Sequence, residues 1–270
     1  MRQQRWVEVD DGRLWVEIAG EGDAVVLIHP GLWDMRAWDP QFDAFAERYR
    51  VVRYDVRGYG RSSRPEPGRP YSDVRDLVAV MDAAGVHDAA MIGCSLGGMI
   101  ALDAVLTYPR RAWGLVMVAS APRGLEETPE EDAWGQGLTE SVGAAVEAGD
   151  LERAMDLQLE IWASLGTDDP AGRAIREIAF DNLHTLTMDD SGAEEMRPTA
   201  AERLEEVAVP TLVLPADLDP PVLQRASRVL AERIPDARVI RIPVVDHVIG
   251  MRRPQDFNRE VLAFLASIRS

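Results

Sequence analysis

The stretch Ala89-Ala90-Met91-Ile92-Gly93-Cys94-Ser95-Leu96-Gly97-Gly98 decides how the rest of the chain is read. It opens on a continuous apolar run, the pattern of a strand buried on both faces. Residues 96–108 then follow a helical spacing. Between strand and helix the backbone must turn within a few residues. Small residues on either side of Ser95 allow that crowding, and the serine hydroxyl is left exposed at the N-terminus of the helix. A bare Gly-x-Ser-x-Gly arises by chance in roughly one chain of this length in ten at ordinary glycine usage. Its place between a strand and a helix is what carries information. Without partners, the same turn reads as a glycine-rich anion site or as no site at all.

Working outward, the strand–helix alternation repeats. Residues 6–9 and 14–18 read as two short strands split by the Asp11-Gly12 turn signal. Apolar runs at 24–28, 51–54, 89–92, 115–119, 211–214 and 238–242 read as buried strands. Helical patterns at 40–49, 71–84, 96–108, 221–233 and 255–268 separate them. This predicts an α/β fold with a mostly parallel, doubly wound sheet. The alternation lapses over residues 122–205, where the pattern is helical only, as at 142–148 and 151–165. The expected organisation is therefore a core of residues 1–121 and 206–270 with a helical lid inserted at 122–205.

A nucleophilic serine needs a base. The chain has 4 His, at positions 29, 87, 184 and 247. His247 lies in a loop after the last strand and before the final helix, and elbow-type triads run in the order Ser, acid, His. His29, His87 and His184 are read as structural residues. The base in turn needs an orienting carboxylate. Asp217 and Asp219 both follow the strand at 211–214, on the side where ligands gather in such sheets. Asp246 is the weaker candidate, since adjacent loop residues usually point apart. The run 115–119 leads into Ser120-Ala121-Pro122 and offers no acid. Developing negative charge on a substrate oxygen needs N–H donors. The backbone N–H of Leu96 is one, and the His29-Pro30-Gly31-Leu32 loop can supply another at Gly31, where backbone can approach a ligand closely. Cys94 is not the expected nucleophile, because the flanking glycines centre on Ser95. Asp55 and Arg57 read as bracing residues, and Trp33, Trp38, Trp134, Trp162 and Met188 as packing.

Composition narrows the possibilities further. The chain has 270 residues, 46 acidic and 29 basic side chains, and a net charge of -17. All the basic residues are Arg and none is Lys, which excludes Schiff-base and Ser-Lys chemistry. A chain of this length buries about three quarters of its unfolded surface and needs no disulfide or metal staple. The acidity argues against nucleic acid and against an anionic membrane surface as partners. No apolar run approaches the ~20 residues of a membrane span. The N-terminus shows no signal-peptide pattern, and the lone Cys94 suits a reducing cytosol. The charge is unevenly spread. Residues 122–205 hold 21 Asp or Glu against 6 Arg, while the rest hold 25 against 23. Such a segment reads first as a solvated helical surface. It also predicts that anionic substrates are disfavoured at the entrance.

With these residues placed, the chain resembles the α/β-hydrolase superfamily over nearly its whole length. The resemblance is carried, in order, by His29-Pro30-Gly31, Asp55-Val56-Arg57-Gly58-Tyr59-Gly60-Arg61-Ser62 and the elbow at Ser95. It continues through Asp217-Leu218-Asp219-Pro220, His247 and Pro254-Gln255-Asp256-Phe257-Asn258. These strings look like those of bacterial 3-oxoadipate enol-lactonase-type and small-ester hydrolases. The resemblance implies a Ser95, Asp219, His247 triad, with the second of the two carboxylates as the acid. It also implies backbone donors at Gly31 and Leu96, a small ester or lactone substrate, and no cofactor or metal. Carbon–carbon bond hydrolysis, acyl transfer, or binding without catalysis are the other outcomes this fold supports. Two departures stand out. Pro30 replaces the usual glycine after the loop histidine and has no N–H, and Asp246 replaces the glycine that commonly precedes the catalytic histidine.

Overall fold

The computed structural model describes residues 2–269. Eight strands form one sheet: β1 Gln3–Val9, β2 Gly12–Ala19, β3 Ala24–Ile28, β4 Arg50–Tyr54, β5 Ala89–Cys94, β6 Ala112–Val118, β7 Thr211–Leu214 and β8 Ala237–Val239. Their order is β1-β2-β4-β3-β5-β6-β7-β8. The first two strands form a hairpin, and β2 meets β4 antiparallel. Every later pairing is parallel. The helices are α1 Asp39–Ala46, α2 Asp73–Ala83, α3 Leu96–Thr107, α4 Pro129–Glu147, α5 Leu151–Trp162, α6 Pro170–Asp181, α7 Pro221–Arg233, α8 Ile249–Arg252 and α9 Pro254–Ile268. This is the doubly wound α/β architecture expected from the alternation.

Residue chemistry sets the layers. Val25 and Leu27 face a layer with Phe42 of α1 and Phe257 and Val261 of α9. Val26 and Ile28, their neighbours in β3, face the opposite layer with Leu77 of α2 and Ile100 of α3. This period-two alternation between two covered faces is why the strand reads as one apolar run. Each such side chain contributes roughly 1.5–3 kcal/mol on full burial. By contrast, β1 alternates from Gln4 onward between exposed positions and the more covered Arg5, Val7 and Val9, of which Val7 is buried, as a strand wetted on one face should.

Several boundaries differ from expectation, and at two the backbone shows why. The hairpin loop is Asp10-Asp11, with Asp11 at φ 62 supplying the left-handed residue, and Gly12 already belongs to β2. The last strand stops at Val239 rather than 242. Ile240 still donates to Val213 O, but Pro243 has no N–H and Val244 turns to φ 54.

Between β6 and β7 lie α4, α5, α6 and three short 3-10 turns, in the segment whose pattern reads as helical only. The faces of α5 and α6 bury Met155, Leu159, Ile175 and Ile178 against Trp33 and Val248 of the core loops and Met251 of α8. Asn182, at the end of α6, is fully buried. It donates to Asp34 Oδ2 at 2.9 Å and accepts from Gly60 N at 2.8 Å, tying the segment to the loops after β3 and β4.

Candidate active site

Ser95 sits at φ 51, ψ -115, on the step from β5 into α3. This is a sparsely populated conformation for an L-residue, costing roughly 1–3 kcal/mol, and it persists only where the surroundings enforce it. Here a Cβ on Gly93 would collide with the Gly97 carbonyl, and one on Gly97 with the Ile28 carbonyl. Ser95 N donates to Val118 O at 2.9 Å, and Ser120 Oγ donates to Ser95 O at 2.7 Å, so the turn is fastened to β6. The Ser95 side chain is partly exposed, while Cys94 is buried. Burial, with Asp219 nearby, pushes the Cys94 thiol well above its usual range, which leaves it inert.

His247 lies 3 % exposed, with Nδ1 donating to Asp219 Oδ1 at 2.9 Å and Oδ2 at 3.1 Å. That leaves Nε2 as the free, proton-accepting nitrogen. Cys94 Sγ donates to the His247 carbonyl at 3.6 Å, which sets the histidine loop against the residue before Ser95. The Ser95 hydroxyl makes no hydrogen bond to His247 or to any other described residue. Such contacts are often loose until substrate is bound.

The acid and histidine loops are joined at successive positions. Asp217 Oδ2 accepts from Val244 N at 3.2 Å, Leu218 N donates to Val245 O at 3.1 Å, and the Asp219–His247 pair follows. Asp217 and Asp219, indistinguishable by strand position, are thereby separated: one holds the loop and the other meets the imidazole. Val244 carries a β-branched side chain at positive φ and is 64% exposed. Left-handed backbone costs an L-residue about 1–2 kcal/mol and asparagine less. Val244→Asn is therefore expected to raise the unfolding free energy by about 1 kcal/mol in urea titration. A loss of stability would count against a strained turn.

Asp246 points away from the imidazole. Its buried carboxylate pairs with Arg252 at 2.8 Å and accepts from Leu165 N at 3.2 Å. Arg252 also donates to Gly166 O at 2.7 Å. The residue beside His247 thus clasps the segment between α5 and α6.

Gly31 lies beside the elbow: a Cβ there would stand 4.0 Å from Leu96 Cβ and 3.6 Å from the Tyr59 hydroxyl. The next residue, Leu32, adopts φ 66. The N–H groups of Gly31, Leu32 and Leu96 donate to no described residue and are free to bind an oxygen. His29 holds this loop in place. Its Nδ1 donates to Pro30 O at 2.8 Å, and its Nε2 accepts from Val56 N at 2.9 Å. Burial pushes its pKa down, so it stays neutral. His87 is exposed, and His184 bonds Gly58 O at 2.9 Å.

Asp55 and Arg57 brace the same end of the sheet. Arg57 forks onto Asp76 at 2.8 and 2.9 Å. Asp55 accepts from Met35 N at 3.0 Å and Arg61 N at 2.9 Å, and burial raises its carboxyl from 3.8 to about 7. An acid raised on folding keeps a proton that the unfolded chain has released. Its contribution to stability therefore falls as pH rises from about 4 to 7 and is level above that. Asparagine does not titrate, so the stability gap between wild type and Asp55→Asn should narrow between pH 5 and pH 8. The narrowing should be about 2–3 kcal/mol. Urea unfolding at the two pH values reads it, and a constant gap would refute it.

Trp162, read from sequence as packing, lies against the imidazole with ring centroids 4.7 Å apart. Helical spacing places Met155, Leu159 and Trp162 on one stripe of α5, but what that stripe covers is a tertiary fact. No cluster of His, Cys, Asp and Glu able to hold a metal occurs among the described residues. No helix of the described residues is long and apolar enough to cross a membrane.

A doubly wound sheet with a serine elbow after β5 and a carboxylate–imidazole pair beyond β7 and β8 defines an α/β hydrolase. The chain belongs to the alpha/beta hydrolase fold family, whose model matches residues 24–254. It is 29% identical to RutD of Azorhizobium caulinodans, covering 96% of this chain and 97% of that one; the name of RutD refers to carbamate hydrolysis. Among solved structures it is similar to Est816, described as an N-acyl homoserine lactone degrading enzyme. Their TM-score is 0.75 at 26% identity, over 96% of this chain and all of that one. It shares its fold with the enol-lactonase of Burkholderia xenovorans LB400, with TM-score 0.76 at 22% identity, over 97% and 100% of the two chains.

Proposed function

We propose that this hydrolase cleaves a small carboxylic ester or lactone through an acyl-enzyme on Ser95, with residues 122–205 acting as a lid on the core of residues 1–121 and 206–270. The observation that carries the reading is the buried Asp219–His247 pair, held by a hydrogen bond to the His247 carbonyl from Cys94, the residue before a strained, partly exposed serine. His247 Nε2 takes the Ser95 proton as Oγ attacks the carbonyl. Asp219 keeps the imidazole proton on Nδ1 and stabilises the imidazolium. The N–H groups of Gly31 and Leu96 bind the oxyanion, each worth ~10²–10³ in rate in comparable sites. The alcohol leaves with the proton from His247. Water, deprotonated by the same histidine, then releases the acid and restores Ser95. The partner is a small molecule, and the chemistry requires no cofactor.

A fluorophosphonate probe followed by peptide mapping, run beside turnover of p-nitrophenyl acetate and butyrate, tests the reading. An adduct on Ser95 with ester turnover is expected. No adduct and no turnover would overturn it in favour of a binding protein. An adduct without ester turnover would move the reaction to another acyl or carbon–carbon bond on the same triad.

A further inference from the structure

A pocket of about 210 Å³ opens between α4 and the start of α7, lined by Glu130, Glu131, Trp134, Pro221 and Val222. Its wall is apolar apart from the two glutamates. Two ring contacts link its wall to the Asp219–His247 pair. Trp134 meets Trp162 edge-on at 6.4 Å, and Trp162 meets His247 at 4.7 Å. Trp162 and Val222 pack on a cluster of Ala121, Leu223 and Ala226, joined by Met99, which lies one turn along α3 from Ser95. Trp134 itself is 37% exposed, a large apolar ring left facing the opening.

Charge at the rim is one-sided. Glu130 is exposed. Glu131 stays ionised, because hydrogen bonding from Arg225 holds its carboxyl down to about 2. Arg225 is spent on that pairing at 2.6 Å and on the Glu126 carbonyl at 2.8 Å, so it offers nothing to an incoming anion. An apolar cavity of ~150 Å³ holds a benzene ring, so this pocket has room for a phenyl group or a short alkyl chain.

We propose that the pocket between Trp134 and Val222, joined to His247 through Trp162, holds an uncharged apolar substituent of the substrate and rejects the matching carboxylate. The assignment deepens the ester or lactone reading above and rests on it for the identity of the ligand as substrate. An apolar group leaves water there and meets aromatic walls. A carboxylate must shed its hydration beside two glutamates with no free cation.

Calorimetric titration of the wild-type chain with 4-phenylbutanamide and 4-phenylbutanoate tests this without chemistry. The amide is expected to bind at least ~10-fold more tightly, the scale that apolar pockets discriminate by. Trp134→Ala and, separately, Val222→Asp should weaken amide binding by about the same factor. On esters, both variants should raise KM for a 4-phenylbutanoyl ester by a larger factor than KM for an acetate ester. Equal affinity for amide and carboxylate, binding of neither, or indifference to both substitutions would overturn the assignment. The two readings fail separately. A Ser95 adduct with no amide preference sinks only the pocket, whereas an amide preference with no Ser95 adduct sinks only the hydrolase mechanism.

Discussion

Ser95→Ala is expected to lower kcat/KM for p-nitrophenyl butyrate by about 10⁴–10⁶-fold, the range seen when the nucleophile of such a triad is removed. The loss should be chemical and not structural. Alanine keeps the β-carbon that the elbow already accommodates, and the serine hydroxyl makes no hydrogen bond that folding depends on. Thermal unfolding of the variant should therefore lie close to wild type, and fluorophosphonate labelling should vanish. Steady-state kinetics on matched preparations reads the effect. A loss under tenfold would remove Ser95 from the reaction.

Asp219→Asn should cost about 10³–10⁴-fold in kcat with the fold intact. The carboxylate accepts from His247 Nδ1 through both oxygens. An amide in its place can donate to Nδ1, which moves the imidazole proton to Nε2 and leaves no base facing Ser95. Asp217→Ala is the control. Its carboxylate holds Val244 N and lies away from the imidazole, so it should cost less than about tenfold and show mainly in stability. Comparable losses from the two substitutions would mean that the acid had been misassigned.

The core of this molecule was legible because its determinants are local. Buried strands announce themselves as apolar runs, and the elbow demands small residues at fixed offsets around Ser95. The acid and histidine lie just past strands that the pattern locates. Their roles are set by contacts between distant segments, which spacing alone does not contain. Asp217 and Asp219 stand equally placed after β7, and the family resemblance chose between them before the geometry did. The inserted segment was readable as helical and acidic, but little more. The bounds of α6 within it are not marked, Asn182 carries no signal of its own, and Trp162 reads as packing. Each becomes meaningful only through partners 100 or more residues away in the chain or on another element: Asp34, Gly60 and His247. The short last strand was overread because the apolar run 238–242 continues past the point where Pro243 and the left-handed Val244 end pairing.

The Asp246–Arg252 clasp bears on how this enzyme can be recombined. Exchanging residues 122–205 for the segment of a relative with a different turn between α5 and α6 would shift the backbone N–H at 165 from Asp246 and the carbonyl at 166 from Arg252. A buried ion pair that loses its further hydrogen-bond partners is destabilised, and here it sits next to His247. The unit of exchange is thus discontinuous in sequence. A chimaera that carries positions 246 and 252 with the insertion, and keeps Asp34 and Gly60 to receive Asn182, should retain activity that a simple cut at 122 and 205 would lose.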